Sequence, residues 1–476
     1  MHTLRVWRFH IVPMETQPEP DQSPSLFPFI IAIIGLAWYV VLWNIGLLGC
    51  RTGRRRYRMR PRSPLATAPP DSVPGVSILR PLKGLDANLY ENLESTFTQE
   101  YPNFEIILSV ADEQDQALPV ARDLISKYPS IAARIIIGEE VVGVNPKVNN
   151  LIRSYREATH DVLWVIDSGV SVAPGTLARS VDLLESSTHT RPLKRRVALV
   201  HHVPFVSAPE GFLGSRIEEA FLNTNHAKMY LAINTVSIES CVVGKSNLYR
   251  RSDIERVNGS LKPQVHTESD DDQGCTRGLA AFGKFLAEDN MIASALWHEL
   301  DLRHDLSCDV AHNAIGKMSL SDYVWRRVRW IRVRKHMVLG ATIMEPFTEN
   351  LIASSIAAAS LRYLFGIPIW PFLVVHHAAW LWVDLDVYES LAGHPLPADR
   401  RWWFITAWCL RELLALPIWF LAMLGNEVIW RGKKYEVLRA GEARGTSGDG
   451  NHRGLFIRWR QRGSHYQPLP SNHSDT

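Results

Sequence analysis

VLWVI (residues 162–166) is the last of four short runs of branched apolar residues that decide the fold class. The earlier three are VSIL (76–79), FEIILSV (104–110) and RIIIG (134–138), and amphipathic stretches such as NLYENLESTF (88–97) separate them. Runs of this length predict buried β-strands, and the stretches between them predict helices. Strands that alternate with helices form a mainly parallel sheet with helices on both faces. The sequence therefore predicts an α/β domain.

Two carboxylates come after these runs at positions where parallel sheets bind ligands. Asp112 lies two residues after the second run, and Asp167 comes directly after the fourth. Ligands of open α/β sheets bind at the carboxyl ends of the strands, so we expect both side chains at one rim. The Ser-Gly step after Asp167 leaves room for a diphosphate and a divalent cation. The alternative for Asp167 is an ordinary turn or helix-cap aspartate.

Two further groups of residues could carry chemistry. Asp289 begins an amphipathic segment beside Glu288. Helix capping is the simple interpretation of Asp289, but in a crevice its burial and the charge of Glu288 would raise its pKa and make it a better proton acceptor. Arg326, Arg329 and Trp330 lie in RRVRW, where guanidinium groups could bind phosphate and the indole could frame a sugar or acceptor. The alternative for this segment is a basic helix on lipid headgroups.

The N-terminal part contains a candidate membrane anchor. No charged residue lies between Leu26 and Leu48, and a helix of that length spans the ~30 Å hydrocarbon layer. A cleaved signal peptide is the alternative, but the run exceeds the usual ~7 to 15 apolar residues and no A-x-A site comes after it. The arginine-rich segment 51–62 comes next and predicts that the chain beyond it lies in the cytosol. We therefore assign a luminal N-terminus (1–25), a transmembrane helix (26–48) and a basic, Pro-rich cytosolic linker (49–73).

The C-terminal part is apolar again, in two runs at 351–383 and 402–424. Gly366, Pro368 and Pro371 interrupt the first run, which predicts a hairpin of two helices, either spanning or re-entrant. Buried core helices of a soluble domain are the alternative. The assigned regions are membrane-associated or transmembrane helices (344–430) and a largely disordered cytosolic tail (431–476).

The composition excludes several classes of protein. Lysine and arginine number 52 and aspartate and glutamate 49, a net charge of +3, so a strongly cationic nucleic-acid binder is excluded and no nucleic-acid partner is expected. The five cysteines are scattered without a CxxC pair. They indicate neither a disulfide framework nor a structural zinc site.

Six motifs occur in an order that closely resembles ceramide glucosyltransferases, a membrane family with a GT-A type catalytic domain. The motifs are VSILRPLKGLDANLYENLESTF (76–97), NPKVNNL (145–151), WVIDSGV (164–170), LVHHVPF (199–205), LAED (286–289) and RRVRW (326–330). The resemblance extends over about residues 74 to 435. It implies a GT-A-like, Rossmann-like mixed-sheet domain at 74–343.

The resemblance also implies roles for the aspartates. Asp112 corresponds to the aspartate near the uracil and ribose, and Asp167 to the one at the diphosphate and a Mg²⁺ or Mn²⁺ ion. Asp289 corresponds to the catalytic base. No second carboxylate comes after Asp167, so a full DxD pair is absent. The insert at about 261–277 is longer than the family pattern and is expected to be mobile.

The same resemblance implies other roles. Arg326, Arg329 and Trp330 match the element expected to hold the diphosphate and shape the acceptor site. Lys147 is expected to take part in nucleotide binding. His201 matches a histidine near the donor site, although a packed core histidine is an equal alternative.

The activity that the resemblance implies is inverting transfer of glucose from UDP-glucose to the primary hydroxyl of ceramide. The enzyme would be a multi-pass protein of the Golgi or endoplasmic reticulum bilayer, with its catalytic domain in the cytosol. A membrane polysaccharide synthase of the same fold and a non-catalytic membrane scaffold or lipid sensor are the alternatives. His376, His377 and Asp384 would line the path of the lipid acceptor, or else be solvated at helix ends.

Overall fold

One eight-stranded mixed β-sheet forms the centre of the α/β part of the chain, in a computed structural model that describes residues 26–189, 195–207, 210–263, 276–430 and 433–445. The strand order is β3-β2-β1-β4-β7-β6-β8-β5. The strands are β1 (Val76–Leu82), β2 (Phe104–Val110), β3 (Ala132–Ile137), β4 (Val162–Ile166), β5 (Val170–Ser171), β6 (Val197–Ser207), β7 (Ser246–Arg250) and β8 (Arg303–Ala314).

The predicted α/β class is confirmed, but the sheet is mixed, and its continuous parallel part is the first four strands in the sheet order. Strands β3, β2, β1 and β4 run parallel to one another. Strand β7 then runs antiparallel between β4 and β6, β6 and β8 are parallel, and β5 at the edge runs antiparallel to β8. The four apolar runs in the sequence lie entirely in the parallel half. The sequence of β7, SNLYR, has only two apolar residues and no such run.

Fourteen α-helices are present in the described part of the chain. They are α1 (Leu26–Tyr57), α2 (Leu89–Phe97), α3 (Ala117–Lys127), α4 (Pro146–Glu157), α5 (Thr176–His189), α6 (Leu213–Ala220), α7 (Ala227–Val236), α8 (Arg251–Ile254), α9 (Glu288–Glu299), α10 (Leu320–Met337), α11 (Leu339–Thr348), α12 (Asn350–Phe365), α13 (Ile369–Ala392) and α14 (Arg401–Met423). A π-helical turn at Phe221–His226 joins α6 to α7.

Helices cover both faces of the parallel half of the sheet. Consecutive residues of β1 point to opposite faces: Ile78 packs in the same apolar cluster as Leu93 of α2, and Leu79 packs with Leu151 of α4. All of these side chains are essentially inaccessible to solvent. A strand that is covered on both sides needs apolar residues at successive positions, which is why these strands read as continuous runs.

The N-terminal helix α1 is longer than the predicted transmembrane segment. It includes residues 26–48 and continues through the arginines to Tyr57. Arginine favours helix, and basic side chains in the last turn interact well with the helix dipole. The first proline after the apolar run is Pro61, so nothing earlier interrupts the helix. In the described part of the chain, α1 and α14 are the two helices long and apolar enough to cross a membrane.

The predicted helical hairpin is present as α12 and α13. Helix α12 ends at Gly366, whose φ of 68° lies in the left-handed region that glycine adopts without strain. Helix α13 begins directly after Pro368. Pro371 lies in the first turn of α13, where the missing N–H of proline has no helical partner to lose, so it causes no break. Whether the hairpin spans the membrane or is re-entrant stays a prediction.

Two of the three polar residues expected along a lipid path instead fill the contacts between helices. His376 is 2% exposed, and its ring nitrogens bond to Tyr39 Oη at 2.7 Å and Asn350 Oδ1 at 2.6 Å. Asp384 is fully buried against Lys228. Polar groups inside an apolar bundle pair with one another rather than stay unpartnered. His377 is only partly buried, and its Nδ1 lies 2.7 Å from the backbone oxygen of Leu373.

A small antiparallel sheet comes after α14, where the sequence had suggested a disordered tail. Its strands are β9 (Glu427–Trp430), β10 (Lys433–Val437) and β11 (Ala443–Gly445). Val428, Tyr435 and Val437 form its buried side. The prediction of disorder from residue 431 is therefore wrong for 433–445, because alternate residues of β10 find apolar partners. The predicted luminal N-terminus, residues 446–476 and residues 264–275 of the predicted insert lie outside the described residues.

Candidate active site

Asp167 lies at the carboxyl end of β4, beside the start of β7. The pairing of these strands places Ile166 opposite Ser246, and the amide of Asp167 donates to the backbone oxygen of Lys245 at 3.1 Å. The ammonium group of Lys245 reaches Asp167 Oδ2 at 3.1 Å. Backbone pairing thus fixes the two residues side by side.

Lys147 approaches the same carboxylate from the N-terminus of α4. Asn145 caps this helix by accepting the amide of Lys147 at 2.8 Å, and Pro146 occupies the first helical position. Lys147 Nζ lies 2.8 Å from Asp167 Oδ1 and 2.9 Å from Glu288 Oε1. Burial alone would lower the pKa of Lys147, but the surrounding carboxylates outweigh burial and raise the pKa well above its usual value.

Glu288 and Asp289 begin helix α9 next to this lysine. Glu288 Oε2 accepts a hydrogen bond from Asn145 Nδ2 at 2.7 Å, so one asparagine ties α4 to α9. The carboxylate of Asp289 packs against the backbone of Gly244, the residue before Lys245. Burial and the neighbouring charge of Glu288 raise the pKa of Asp289 to about 7. Asp289 is therefore able to take up a proton near neutral pH.

Gly244 is required by this close approach. A Cβ at this position would overlap Asp289 Oδ2, so Gly244→Ala must displace the carboxylate. If Asp289 is the base that the resemblance implies, we expect a loss of about 100-fold in kcat, since a displacement of ~1 Å in a reacting group costs that much. The measurement is steady-state kinetics beside a thermal melt.

Gly340→Ala is the matched control, because a Cβ there meets no atom within 4 Å. Equal activity of the two variants would show that the position of Asp289 does not depend on Gly244.

Asp112 lies at the same rim, away from the other carboxylates. It comes after β2, which is separated from β4 by β1 alone, and two strand spacings amount to about 10 Å. The side chain is exposed, and its Oδ1 accepts the amide of Gln114 at 2.9 Å. In the described residues, no hydrogen bond or ion pair joins Asp112 to Asp167. Its nucleotide-binding role stays a prediction.

The RRVRW segment lies on α10 and contacts α6 and the π-helical turn. Arg326 Nε donates to Oε1 of the buried Glu218 at 2.9 Å. The ring of Trp330 lies 6.4 Å from that of His226. Arg329 is partly buried one turn from Arg326. The predicted pairing of Arg326 with phosphate competes with its carboxylate partner, and the roles of all three motif residues stay predictions.

His201 supports the loop before Lys245 through Tyr230. It is fully buried in β6, with Nδ1 at 2.5 Å from Tyr230 Oη and Nε2 at 3.2 Å from His304 Nδ1. Burial and His304 lower the pKa of His201 well below its usual value. Tyr230 Oη in turn accepts the amide of Val243 at 3.0 Å. These contacts match the alternative of a packed histidine, and direct binding of the donor by His201 stays a prediction.

An aromatic stack connects the two parts of the candidate site. The rings of Tyr230 and His226 are stacked with centroids 5.7 Å apart, and the ring of Trp330 lies at a tilt on His226. One end of this stack holds the loop before Lys245, and the other contacts the motif helix. Packed side chains thus connect RRVRW to the Asp289 cluster, the name we use for the neighbouring residues Asn145, Lys147, Asp167, Gly244, Lys245, Glu288 and Asp289.

Sequence reasoning missed four residues of the cluster. Lys245 and Gly244 belong to a GKS step directly before β7, Asn145 precedes the proline that starts α4, and Glu288 was considered only as a neighbour of Asp289. The Asn-Pro helix start was a usable signal for Asn145. For Lys245 the only signal was a Gly-Lys pair directly before β7, and the sequence of β7 itself has too few apolar residues to predict a strand.

The side chains around Asp167 fit a divalent cation poorly. Both oxygens of Asp167 contact ammonium groups, from Lys147 and Lys245. No group of three or more His, Cys, Asp or Glu side chains in the described residues is arranged to hold a metal ion. A cation at Asp167 would have to displace a lysine. The predicted Mg²⁺ or Mn²⁺ site is therefore not supported by these contacts.

Comparisons with known proteins agree with the motifs. The profile described as Glycosyl transferase family 21 matches residues 36–443. A ceramide glucosyltransferase of Komagataella phaffii is 36% identical, with 91% of this chain and 96% of that protein covered. A ceramide glucosyltransferase of Candida albicans is 31% identical, with 88% and 98% covered.

Among solved structures, a mannosyltransferase from Pyrobaculum calidifontis in complex with GDP-mannose and Mn²⁺ aligns at a TM-score of 0.40 and 18% identity, over 83% of this chain and 98% of that one. We draw nothing from so distant a likeness. The family profile and the relatives cover most of the chain. This chain therefore belongs to glycosyl transferase family 21, as its motifs predicted.

Proposed function

We propose that this chain transfers glucose from UDP-glucose to the primary hydroxyl of ceramide, with inversion at the anomeric carbon. The relatives from Komagataella phaffii and Candida albicans are ceramide glucosyltransferases, and their similarity extends over nearly the whole chain. The observation that carries the proposal is the carboxylate of Asp289, partly buried at the start of α9 against Gly244 and beside Glu288, with its pKa raised to about 7. Such a group suits a hydroxyl nucleophile that must lose its proton at neutral pH.

The reaction needs one displacement. Asp289 accepts the proton of the acceptor hydroxyl while the oxygen attacks the anomeric carbon from the face opposite UDP. The bond from that carbon to the diphosphate breaks, and an α-linked donor gives a β-glucoside. Asp112 would contact the uracil and ribose, and Arg329 and Trp330 would lie toward the diphosphate and acceptor. The raised pKa of Asp289 means that a substantial part of the enzyme holds the base unprotonated at pH 7.

The apolar helix α1 packs against the domain that holds the site, which suits a lipid acceptor. Removing the two chains of ceramide into water costs about 0.8 kcal/mol per CH₂, so the acceptor must be reached from the membrane. Arg56, near the end of α1, bonds to Asp305 Oδ1 at 2.8 Å and to the backbone oxygen of Leu306 at 2.9 Å. This contact ties the end of the candidate membrane helix to β8. We propose a multi-pass protein of the Golgi or endoplasmic reticulum membrane with the catalytic domain in the cytosol.

The pH dependence of turnover should report the pKa of Asp289. Because only the unprotonated carboxylate is a base, kcat should fall as the pH drops below about 7. Glu288→Gln removes a like charge that raises the pKa of Asp289, so the acid limb of the profile should move to lower pH. The measurement is kcat between about pH 5 and 9, a range around the operating pH.

Glu91→Gln on α2 serves as the control because Glu91 is exposed, and its profile should match that of the wild type. An acid limb unmoved by Glu288→Gln would argue that another group is titrating.

The proposed activity can be tested with the purified full chain in detergent micelles. Labelled UDP-glucose, UDP-galactose and defined ceramides are supplied, and the products are separated into lipid and aqueous fractions. One labelled hexose per lipid from UDP-glucose supports the proposal. A polymer would favour the polysaccharide synthase, and the absence of both transfer and donor hydrolysis would favour the scaffold.

A further inference from the structure

Two ammonium groups surround Asp167, and the proposed displacement mechanism uses neither. Lys147 contacts Oδ1 at 2.8 Å and Lys245 contacts Oδ2 at 3.1 Å. Both side chains are mostly buried, 17% and 19% exposed, and Asp167 itself is 24% exposed. Solvent therefore still reaches the group. A ligand that enters the rim from solvent would meet the carboxylate and the two cations together.

The backbone of Lys245 is fixed by hydrogen bonds, and its ammonium group forms an ion pair with Asp167. Its amide donates to the backbone oxygen of Val243 at 3.0 Å, and its own oxygen accepts from the amide of Asp167. The ammonium group ends a flexible four-carbon stem with three donors. A lysine held in this way can exchange a carboxylate oxygen for a phosphate oxygen without movement of the loop.

The charges at this rim nearly cancel, so an anionic ligand must be bound by individual cationic groups. Asp167, Glu288 and Asp289 can contribute three negative charges, and Lys147 and Lys245 contribute two positive ones. A third positive group is the fully buried Arg80, which donates to the backbone oxygens of Ser168 and Val170 just beyond Asp167. Asp86 adds a further negative charge, since it accepts a hydrogen bond from Ser168 Oγ. A diphosphate would therefore be held by direct contacts with the two lysine ammonium groups rather than by a net positive field.

We propose that Lys245, together with Lys147, binds the diphosphate of the nucleotide directly, so that nucleotide binding does not require a divalent cation. The inference deepens the proposed function and rests on it only for the identity of the donor. Lys147 would stay anchored by Glu288, because it already bridges that carboxylate and Asp167. Lys245 has only Asp167 among its described ion-pair partners, and it is the lysine that would turn toward the phosphate.

The test is UDP binding by isothermal titration calorimetry to the purified full chain, in excess EDTA and again in saturating Mn²⁺. For the wild type we expect dissociation constants that agree within about threefold. Lys245→Met should weaken binding in EDTA by roughly 10- to 100-fold, the usual worth of a hydrogen bond to a charged group. Lys245→Arg should retain most of the affinity, because it keeps the charge.

Lys284→Met is the matched control, since this lysine is 49% exposed and its ion-pair partner is Glu442 rather than Asp167. It should bind UDP like the wild type. Thermal melts of each variant identify any that fail to fold, and Lys245→Gln then replaces Lys245→Met. Wild-type binding that disappears in EDTA and returns with Mn²⁺ would overturn the proposal, as would undiminished binding by folded Lys245→Met or Lys245→Gln.

The outcome is separable from that of the proposed function. If UDP binds in EDTA through Lys245 but no hexose reaches ceramide, the lysine site stands and the acceptor assignment fails. If transfer to ceramide occurs but UDP binding needs Mn²⁺ and not Lys245, the activity stands and the lysine site fails.

Discussion

Asp289→Asn is expected to lower kcat for transfer by about 10²- to 10⁴-fold, the usual contribution of a general base. The amide keeps the size of the carboxylate but cannot accept a proton from the acceptor hydroxyl. Because the mechanism assigns Asp289 to the acceptor side, the dissociation constant of UDP should change by no more than about twofold, as for a residue that acts in the transition state. Steady-state kinetics and calorimetry with UDP measure the two quantities.

Asp301→Asn is the control for this experiment. Asp301 lies just beyond α9, and its side chain is 86% exposed, so activity should be unchanged. If Asp289→Asn keeps more than about a tenth of the activity, or loses UDP binding in parallel, Asp289 is not the base.

Lys228→Met is expected to have the largest effect on stability. Lys228 of α7 and Asp384 of α13 are fully buried, with Nζ and Oδ1 2.6 Å apart. Trp408 Nε1 donates to the other oxygen of Asp384 at 2.8 Å, and the ammonium lies 3.9 Å from the ring centroid of Trp380. Removing the lysine leaves a buried carboxylate without its counter-charge. The free energy of unfolding should fall by about 3–5 kcal/mol, measured by denaturation in detergent.

A double-mutant cycle shows whether the pair or the side-chain packing is responsible. Lys228→Met combined with Asp384→Asn should be more stable than Lys228→Met alone, since no charge is left buried. Arg156→Met is the comparison at an exposed pair: Arg156 is 53% exposed and pairs with Glu140, and the expected loss there is at most about 1 kcal/mol. Strictly additive effects at Lys228 and Asp384 would show that their charges do not interact.

Sequence patterns predicted the parallel half of the fold well. The runs that became β1 to β4 are apolar at successive positions because both faces of the sheet are covered, and that burial is visible in sequence. The end of α12 at Gly366 could also be predicted from sequence, since a glycine with a proline shortly after it ends a helix through local backbone geometry. Strand β7 could not be predicted from sequence patterns. It is held by strands on both sides, and its pairing depends on residues distant in sequence.

The candidate site was predicted in part. Asp167 and Asp289 were identified by the strand end and by the family motif, and Lys147 by the motif alone. Lys245 was missed because its importance depends on the pairing of β7 with β4, which no local pattern records. For His376 and Asp384 the sequence shows polar residues in an apolar run. Their partners, Asn350 and Lys228, come from other elements and only the tertiary structure brings them together.

The anomeric configuration of the product tests the central claim most directly. Purified full-length chain is incubated with UDP-glucose and ceramide, and the glycolipid is isolated and its anomeric proton is examined by NMR. A single β-linked glucose per ceramide, formed by the wild type and not by Asp289→Asn, is the result expected of one displacement with Asp289 as base. An α-linked product, or β-linked product formed equally by both proteins, would contradict the account.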